Sequence, residues 1–334
     1  TRIKGARVKK LLILIVAVAS LWSGYWFVGA SGVKSGFTKW FEARRLDGWQ
    51  ADYSDLAVKG FPNRFDTTLT DPALADPNTG LAWSAPFVQI FALSYKPNHI
   101  IAAFPEWQTL ASPFAKLSLQ SEDMRASMVM EPNTALAFNR ANLAAGALTI
   151  TAEDGARTKL SGLQVALTRE SGADYRAAFN ADGLAPPLPA RITGDLPDTL
   201  STFRADATLG FTKAWDITAL EEGRPQPTSL KLHLAEAEWG KLKLAAAGDL
   251  TIDSAGTPTG TLTLKARNWR EILTLAKAAG VLPESLADQV EQGLTLLAGL
   301  SGNAETLDIP LTFSGGFIKL GPVPVAPAPR IYLR

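Results

Sequence analysis

The pattern of apolar and polar positions divides the chain into two unlike parts. Leu11 to Ala30, LLILIVAVASLWSGYWFVGA, is apolar on every side, and no charge falls between Lys10 and Lys34. At about 1.5 Å per residue such a run crosses the roughly 30 Å of a bilayer core, so it reads as a transmembrane helix. Phe37 to Trp49 reads as helix continuing off the membrane, with Trp40, Phe41, Arg44 and Arg45 along the interface and Gly48 as the stop. Beyond it the period changes to two. Gln50–Val58, Phe65–Thr70, Leu81–Ala92 and Ser94–Phe104 read as strands, separated by turn chemistry at Gly60–Arg64, Asp71-Pro72 and Asp76–Gly80. Ala115–Leu119, Met124–Met130, Ala147–Ala152 and Lys159–Arg169 continue the meander. Asn133–Asn142 fits either a helical insert or a bent strand.

The second half is more regular. Phe203–Leu209, Ser229–Ala235, Gly240–Ala246, Asp249–Asp253 and Gly260–Ala266 read as strands, and in KLKLAAAGDLTID and GTLTLKA Leu alternates with Lys or Thr, as in antiparallel strands with one wet face. Asn268 then caps a helix with Trp269, Ile272, Leu273 and Ala276 on one stripe, and Pro283-Glu284 opens another carrying Leu286, Val290, Leu294 and Leu297. Leu307–Phe313, a Gly315-Gly316 turn, Phe317–Leu320 and a Pro-rich tail from Gly321 to Arg330 close the chain. The expected fold is mainly β with a few helices, a curved antiparallel sheet plus one N-terminal transmembrane helix. The Pro-rich stretch Ala185–Pro189 is the best linker by stiffness. It sets the expected division into residues 1–33, a basic tip and anchor; residues 34–184, a first β-rich region; and residues 185–334, a second with C-terminal helices.

Charge sets the topology. Arg2, Lys4, Arg7, Lys9 and Lys10 precede the apolar run with no acidic residue among them, which places the N-terminus in the cytoplasm and the bulk outside the inner membrane. Trp22, Tyr25, Trp26 and Phe27 gather at the outer end and fit an interfacial aromatic belt. A cleaved signal peptide competes with this reading: Leu11–Val18 has h-region character, and Ala17-Val18-Ala19 resembles a cleavage site. The apolar character runs about a dozen residues past Ala19, longer than a typical h-region, so a retained anchor is the expectation. Ser20 with Gly24, and Gly32 with Gly36, put small residues four apart on one helix face, a candidate surface for docking another helix.

Composition removes several functions. A formal net charge of +1 offers no basic excess for nucleic acid. With no Cys there is no disulfide scaffold and no thiolate metal or redox site. His99 and His233 lie far apart, and no nucleophile elbow accompanies them. The acidic pairs Glu122-Asp123, Glu153-Asp154 and Glu221-Glu222 are adjacent in sequence, so on a strand their side chains point to opposite faces. No catalytic residue, metal site or cofactor is expected.

The last third carries a recognisable arrangement: Trp239-Gly240, Ala247–Leu250, Gly256–Gly260, then a helix, then Ile309-Pro310-Leu311, Ser314-Gly315-Gly316 and Leu320-Gly321-Pro322. This resembles the C-terminal pattern of AsmA-like envelope proteins. With Gly60-Phe61-Pro62, Trp83–Pro86 and Tyr95-Lys96-Pro97 the chain resembles an uncharacterised, membrane-anchored periplasmic family of Gram-negative bacteria, a domain of unknown function. The resemblance implies a periplasmic curved sheet partly wrapped around an apolar face and brings no catalytic residues. Two roles follow as expectations. One is a non-enzymatic lipid-binding or envelope-maintenance protein whose apolar sheet face meets acyl chains. The alternative is an accessory or assembly subunit of an inner-membrane complex, docked through its transmembrane helix. Alternating strands usually fill a closed core, so a closed core is favoured over an open lipid groove, and a continuous apolar groove in the structure would reverse that expectation.

Overall fold

The structure, a computed structural model, describes residues 2–187, 196–221, 223–278, 284–300 and 305–333. Four helices occur among them: α1 (Arg2–Leu46), α2 (Thr218–Glu221), α3 (Trp269–Ala278) and α4 (Glu284–Leu300). The strands run antiparallel wherever their register is defined, as the alternating sequence requires. The chain forms two compact units, residues 1–118 with 125–128, and residues 119–124 with 129–334.

In the first unit the membrane run and the interfacial segment are one helix. The 45 residues of α1 measure about 67 Å at 1.5 Å each, twice the thickness of a bilayer core. It stops where Gly48 takes a φ of 84°, a left-handed conformation that costs glycine nothing. Gly48 N donates to Arg45 O at 3.0 Å and Trp49 N to Arg44 O at 2.9 Å, the double closure of a Schellman end. One sheet then orders β1 (Gln50–Asp52), β4 (Ala73–Asp76), β5 (Leu81–Ser84) and β8 (Trp107–Ala111) side by side. A second orders β2 (Asp55–Lys59), β3 (Arg64–Thr70), β6 (Phe87–Leu93) and β7 (Lys96–Ala103). Two expected strands are therefore each two strands in different sheets. Gln50–Val58 breaks at Tyr53-Ser54. Leu81–Ala92 breaks at Ala85-Pro86, where Pro86 has no N–H for a ladder and its carbonyl accepts from Asp71 N at 2.8 Å. The core joins both sheets to the helix end: Ala51, Leu56, Leu69 and Val88 are buried with Phe41, which is 3% exposed. Phe41 thus packs inward and does not lie along an interface.

β9 (Lys116–Ser121) and β10 (Arg125–Met130) contain the points where the chain passes between units. The second unit holds β11 (Phe138–Ala145), the hairpin of β12 (Leu148–Ala152) and β13 (Arg157–Leu160), β14 (Gly162–Ser171), β15 (Asp174–Asp182), β16 (Thr202–Phe211), β17 (Pro227–Trp239), β18 (Leu242–Ile252), β19 (Pro258–Arg267), β20 (Thr306–Ser314), β21 (Phe317–Leu320) and β22 (Val323–Pro327). From β14 to β22 the order in the sheet is the order in the chain, with β11 beside β14. The segment open to two readings at 133–142 enters strand β11, after a turn in which Leu136 takes a φ of 46°. Strands β15 and β16 pair from Asp174↔Gly210 to Asn180↔Arg204, so the chain on either side of the Pro-rich stretch at 185–189 belongs to one ladder. The compact units divide near 118–129 instead, and residues 188 and 189 lie outside the described set. Helices α3 and α4 cover one face of this sheet. Trp269, Leu273 and Ala298 bury there against Ala266, Leu307 and Ile309, with Val290 and Leu294 packed alongside. Asn268 precedes α3 with a φ of 54°; its carbonyl accepts from Glu271 N, while its side-chain amide donates to Lys241 O at 2.7 Å.

Candidate functional site

The site begins with the two halves of α1. From Val8 to Leu21 its large apolar side chains are 55–76% exposed, and none of the described residues covers them. A helix apolar all round needs an apolar surrounding. The stretch Val8–Leu46 is long and apolar enough to cross a membrane, with a mean hydropathy of 2.1 in its most apolar window. Lys9 and Lys10 are exposed at its N-terminal end; the side chains of Arg2, Lys4 and Arg7 lie outside the described set.

From Trp22 onward one face of the helix is docked. Trp22 Nε1 donates to Pro62 O at 3.1 Å, Tyr25 Oη to Ser94 O at 2.5 Å, and Trp26 Nε1 to Arg64 O at 2.7 Å. The three carbonyls belong to turns and strand starts, where no ladder partner takes them. Trp26 is 6% exposed and packs on Phe65, so it turns into the body where an interfacial belt would have it face lipid. Phe27 is 63% exposed and stacks on Phe61 with ring centroids 5.7 Å apart. One turn on, Gly29 admits the helix to close approach. A Cβ there would sit 2.5 Å from Cζ of Phe65. Sequence reading passed over Gly29, although its place three residues after Trp26, on the same side, is the available signal. At roughly 100° per residue, Ser20 and Gly24 lie on the opposite side of the helix. Both are exposed, and a Cβ at Gly24, Gly32 or Gly36 would meet nothing within 4 Å.

Beyond Val33, between helix and sheets, a cleft of about 610 Å³ opens. Its helix wall is Val33, Gly36, Phe37, Trp40 and Phe41. Its sheet wall is Leu69, Pro72, Leu74, Trp83, Val88, Ile90, Ala102 and Phe104, drawn from both sheets of the unit. No lining residue carries a charge. The Trp83 indole N–H is already satisfied by Gln108 Oε1 at 3.0 Å, which leaves the cleft no free polar anchor from that ring. Arg44, over the faces of Trp40 and Trp49 at 5.9 Å each and paired with Asp47 at 3.0 Å, stands at the helix end nearest the cleft. The volume falls within the usual range for small-molecule sites, roughly 300–1,000 Å³. An apolar, uncharged lining suits a hydrocarbon chain and supplies no acid, base or nucleophile.

His99, His233 and the acidic pairs do not line this cleft. His233 Nε2 lies 2.9 Å from Thr208 Oγ1. Asp154 accepts from Ala156 N at 2.9 Å, a local turn; Asp123 takes a φ of 48°, and the side chains of Glu221 and Glu222 lie outside the described set. In the second unit a smaller cleft of about 360 Å³ is walled partly by Lys243, Lys265, Arg267 and Asp308. There Lys243 pairs with Glu236 at 2.6 Å and Glu238 at 2.5 Å, and Lys265 with Asp308 at 3.6 Å, so most of its charge is spent within the sheet. Hydrogen bonds from Lys243 and Arg204 hold the Glu236 carboxyl below the usual carboxylate range, and Arg176 does the same for Asp206. Among the described residues no group of three or more His, Cys, Asp or Glu side chains is placed to hold a metal ion.

No curated protein and no solved structure matches the chain. A family model does, over residues 26–329, from the first helix residue buried against the body through both units, and its description is an uncharacterized protein conserved in bacteria (DUF2125). With nine-tenths of its length matched, including α1 from Trp26 onward and the whole apolar cleft, the chain belongs to that bacterial family.

Proposed function

We propose that the protein is a membrane-anchored, lipid-binding protein of the bacterial envelope. In this reading Leu11–Ala30 spans the inner membrane with the basic tip in the cytoplasm, and the β body stands on the periplasmic side, in keeping with the AsmA-like arrangement. The cleft beside Gly36 takes one acyl chain of a membrane lipid. One observation carries the reading: an uncharged cleft of about 610 Å³ lies on the same helix that enters the membrane, a few turns beyond the exposed apolar run. A chain leaving the bilayer would follow that helix and exchange one apolar surrounding for another, at roughly 0.8 kcal/mol per buried methylene kept from water. The role asks for no catalytic residue and no cofactor.

Photo-crosslinking tests this. A phospholipid carrying a diazirine on its acyl chain is incorporated with the full chain in vesicles, irradiated, and the adducts are mapped. The reading expects adducts on cleft residues such as Phe37, Ile90 and Phe104 as well as on Leu11–Leu21. Adducts confined to Leu11–Leu21 contradict it.

A second reading, an accessory subunit of a membrane complex, is favoured by the open space around Gly24 on the undocked face. It expects Gly24→Leu to release the protein from a complex that survives mild detergent, while the cleft stays unoccupied by lipid.

A further inference from the structure

The body meets α1 too early for that body to stand clear of the membrane. Trp22 lies 12 residues after Lys10, about 18 Å along a helix axis, against a bilayer core of about 30 Å. With Lys10 at the inner boundary, the level of Trp22 to Trp26 is still within the outer leaflet. Yet at that level the helix is hydrogen-bonded to Pro62, Arg64 and Ser94 of the body.

We propose that the two loop tips Gly60–Arg64 and Ser94–Pro97 are seated in the outer leaflet, at the boundary of headgroups and acyl chains. Three features make them fit for it. The apolar rings are outward: Phe61 is 52% exposed and Tyr95 64%, beside Phe27. Much of the tip backbone is engaged: Arg64 N donates to Gly60 O and Ser94 N to Asn63 O, while the Pro62, Arg64 and Ser94 carbonyls take the helix side-chain donors. Backbone at membrane depth has to be satisfied in this way, since lipid offers no partner. Third, Lys59 and Lys96 are exposed at the strand ends that carry the tips, where long cationic side chains reach lipid phosphates. The seat fixes the cleft mouth at a set height over the bilayer and prevents the body from tilting about a single helix.

The inference rests on the reading of α1 as a membrane span, so the test reports on both. The chain has no Cys, and single-cysteine variants can carry a nitrobenzoxadiazole label without background removal. Ile15→Cys reports the span, Phe61→Cys, Asn63→Cys and Tyr95→Cys the tips, and Leu46→Cys, 24 residues beyond Trp22 on the same helix, the water above. The labelled full chain is placed in phosphatidylethanolamine–phosphatidylglycerol vesicles containing nitroxide lipids. The expected result is loss of emission at 61, 63 and 95 with shallow nitroxides, loss at 15 with deep ones, and none at 46. Quenching at 15 alone, with the tips behaving like 46, overturns the seat and leaves the anchor standing. No quenching at 15 overturns both.

Discussion

Helices lie on a sheet face in two places, and they do so differently. In the second unit α3 and α4 cover the sheet with Trp269, Leu273 and Ala298, all under 9% exposed, and Leu307 and Ile309 rise to meet them. In the first unit α1 packs Trp26, Ala30 and Val33 toward Phe65 and Val58, and Phe37 and Phe41 toward Ala51, Leu56 and Leu69, and beside Gly36 a cleft stays open. The first arrangement is a helix pair filling a core. The second is a helix that packs on its sheets yet leaves a cleft beside it, with side-chain donors from Trp22, Tyr25 and Trp26 adding to its hold. A protein needing only stability would have a Leu at position 36, since Gly in a helix interior costs roughly 0.5–1 kcal/mol against Ala and gains no burial.

Substitutions on the two faces should separate accordingly. Trp269→Ala empties the centre of the filled face and is expected to cost about 3–5 kcal/mol, read as a lowered midpoint in denaturant unfolding of the full chain in detergent. A cost under about 1 kcal/mol would mean the face is not the close-packed core described. Gly29→Leu drives a side chain into Phe65, whose ring is boxed by Trp26, and is expected to weaken docking of α1 by about 1–3 kcal/mol. A bifunctional thiol reagent between Val33→Cys and Val58→Cys reads this, since both pack against the Trp26–Phe65 cluster. The crosslinking yield should fall with Gly29→Leu and stay level with Gly24→Leu, which has open space around it.

The third prediction concerns acid. Glu236 is 8% exposed and paired with Arg204 and Lys243, and its carboxyl is held below the usual range. The stability it contributes is therefore fully present above the unfolded carboxylate value of about 4.3 and is lost as pH falls through the lower folded value. Glu236→Gln should cost about 1 kcal/mol at neutral pH, since both cations are half-exposed, and the loss should shrink below pH 4. An equal loss at every pH would assign the effect to packing. The smallest effect expected is from Gly36→Leu, a gain of roughly 0.5–1 kcal/mol from the helix alone. A loss would show that the residue's wall of the cleft cannot accept a side chain.

How much of this was legible varied with the physics involved. The apolar run, the antiparallel style and both C-terminal helices were readable because their signals are local: one side-chain period, one run of hydropathy. Strand β15 was not, since DYRAAFNAD alternates through Ala, which has little preference for strands. The splitting of Leu81–Ala92 was marked by Pro86, but the assignment of its halves to different sheets is a long-range choice. The small residues singled out at Ser20, Gly24, Gly32 and Gly36 follow a spacing that says a helix may be approached closely, without saying by what. Gly29, which does receive Phe65, lies 36 residues from its partner, and that distance hides it. The cleft was foreseeable only as a choice between an open groove and a closed core, because the same Leu, Val and Phe residues serve either until the helix is placed over them.

Native mass spectrometry of the full chain, extracted from membranes in nanodiscs and released gently, tests the lipid-bearing cleft most directly. The account predicts that the wild-type chain retains a single lipid and that Gly36→Leu, folded and at least as stable, loses most of it. Equal retention by the two chains, or no lipid on either, would contradict it.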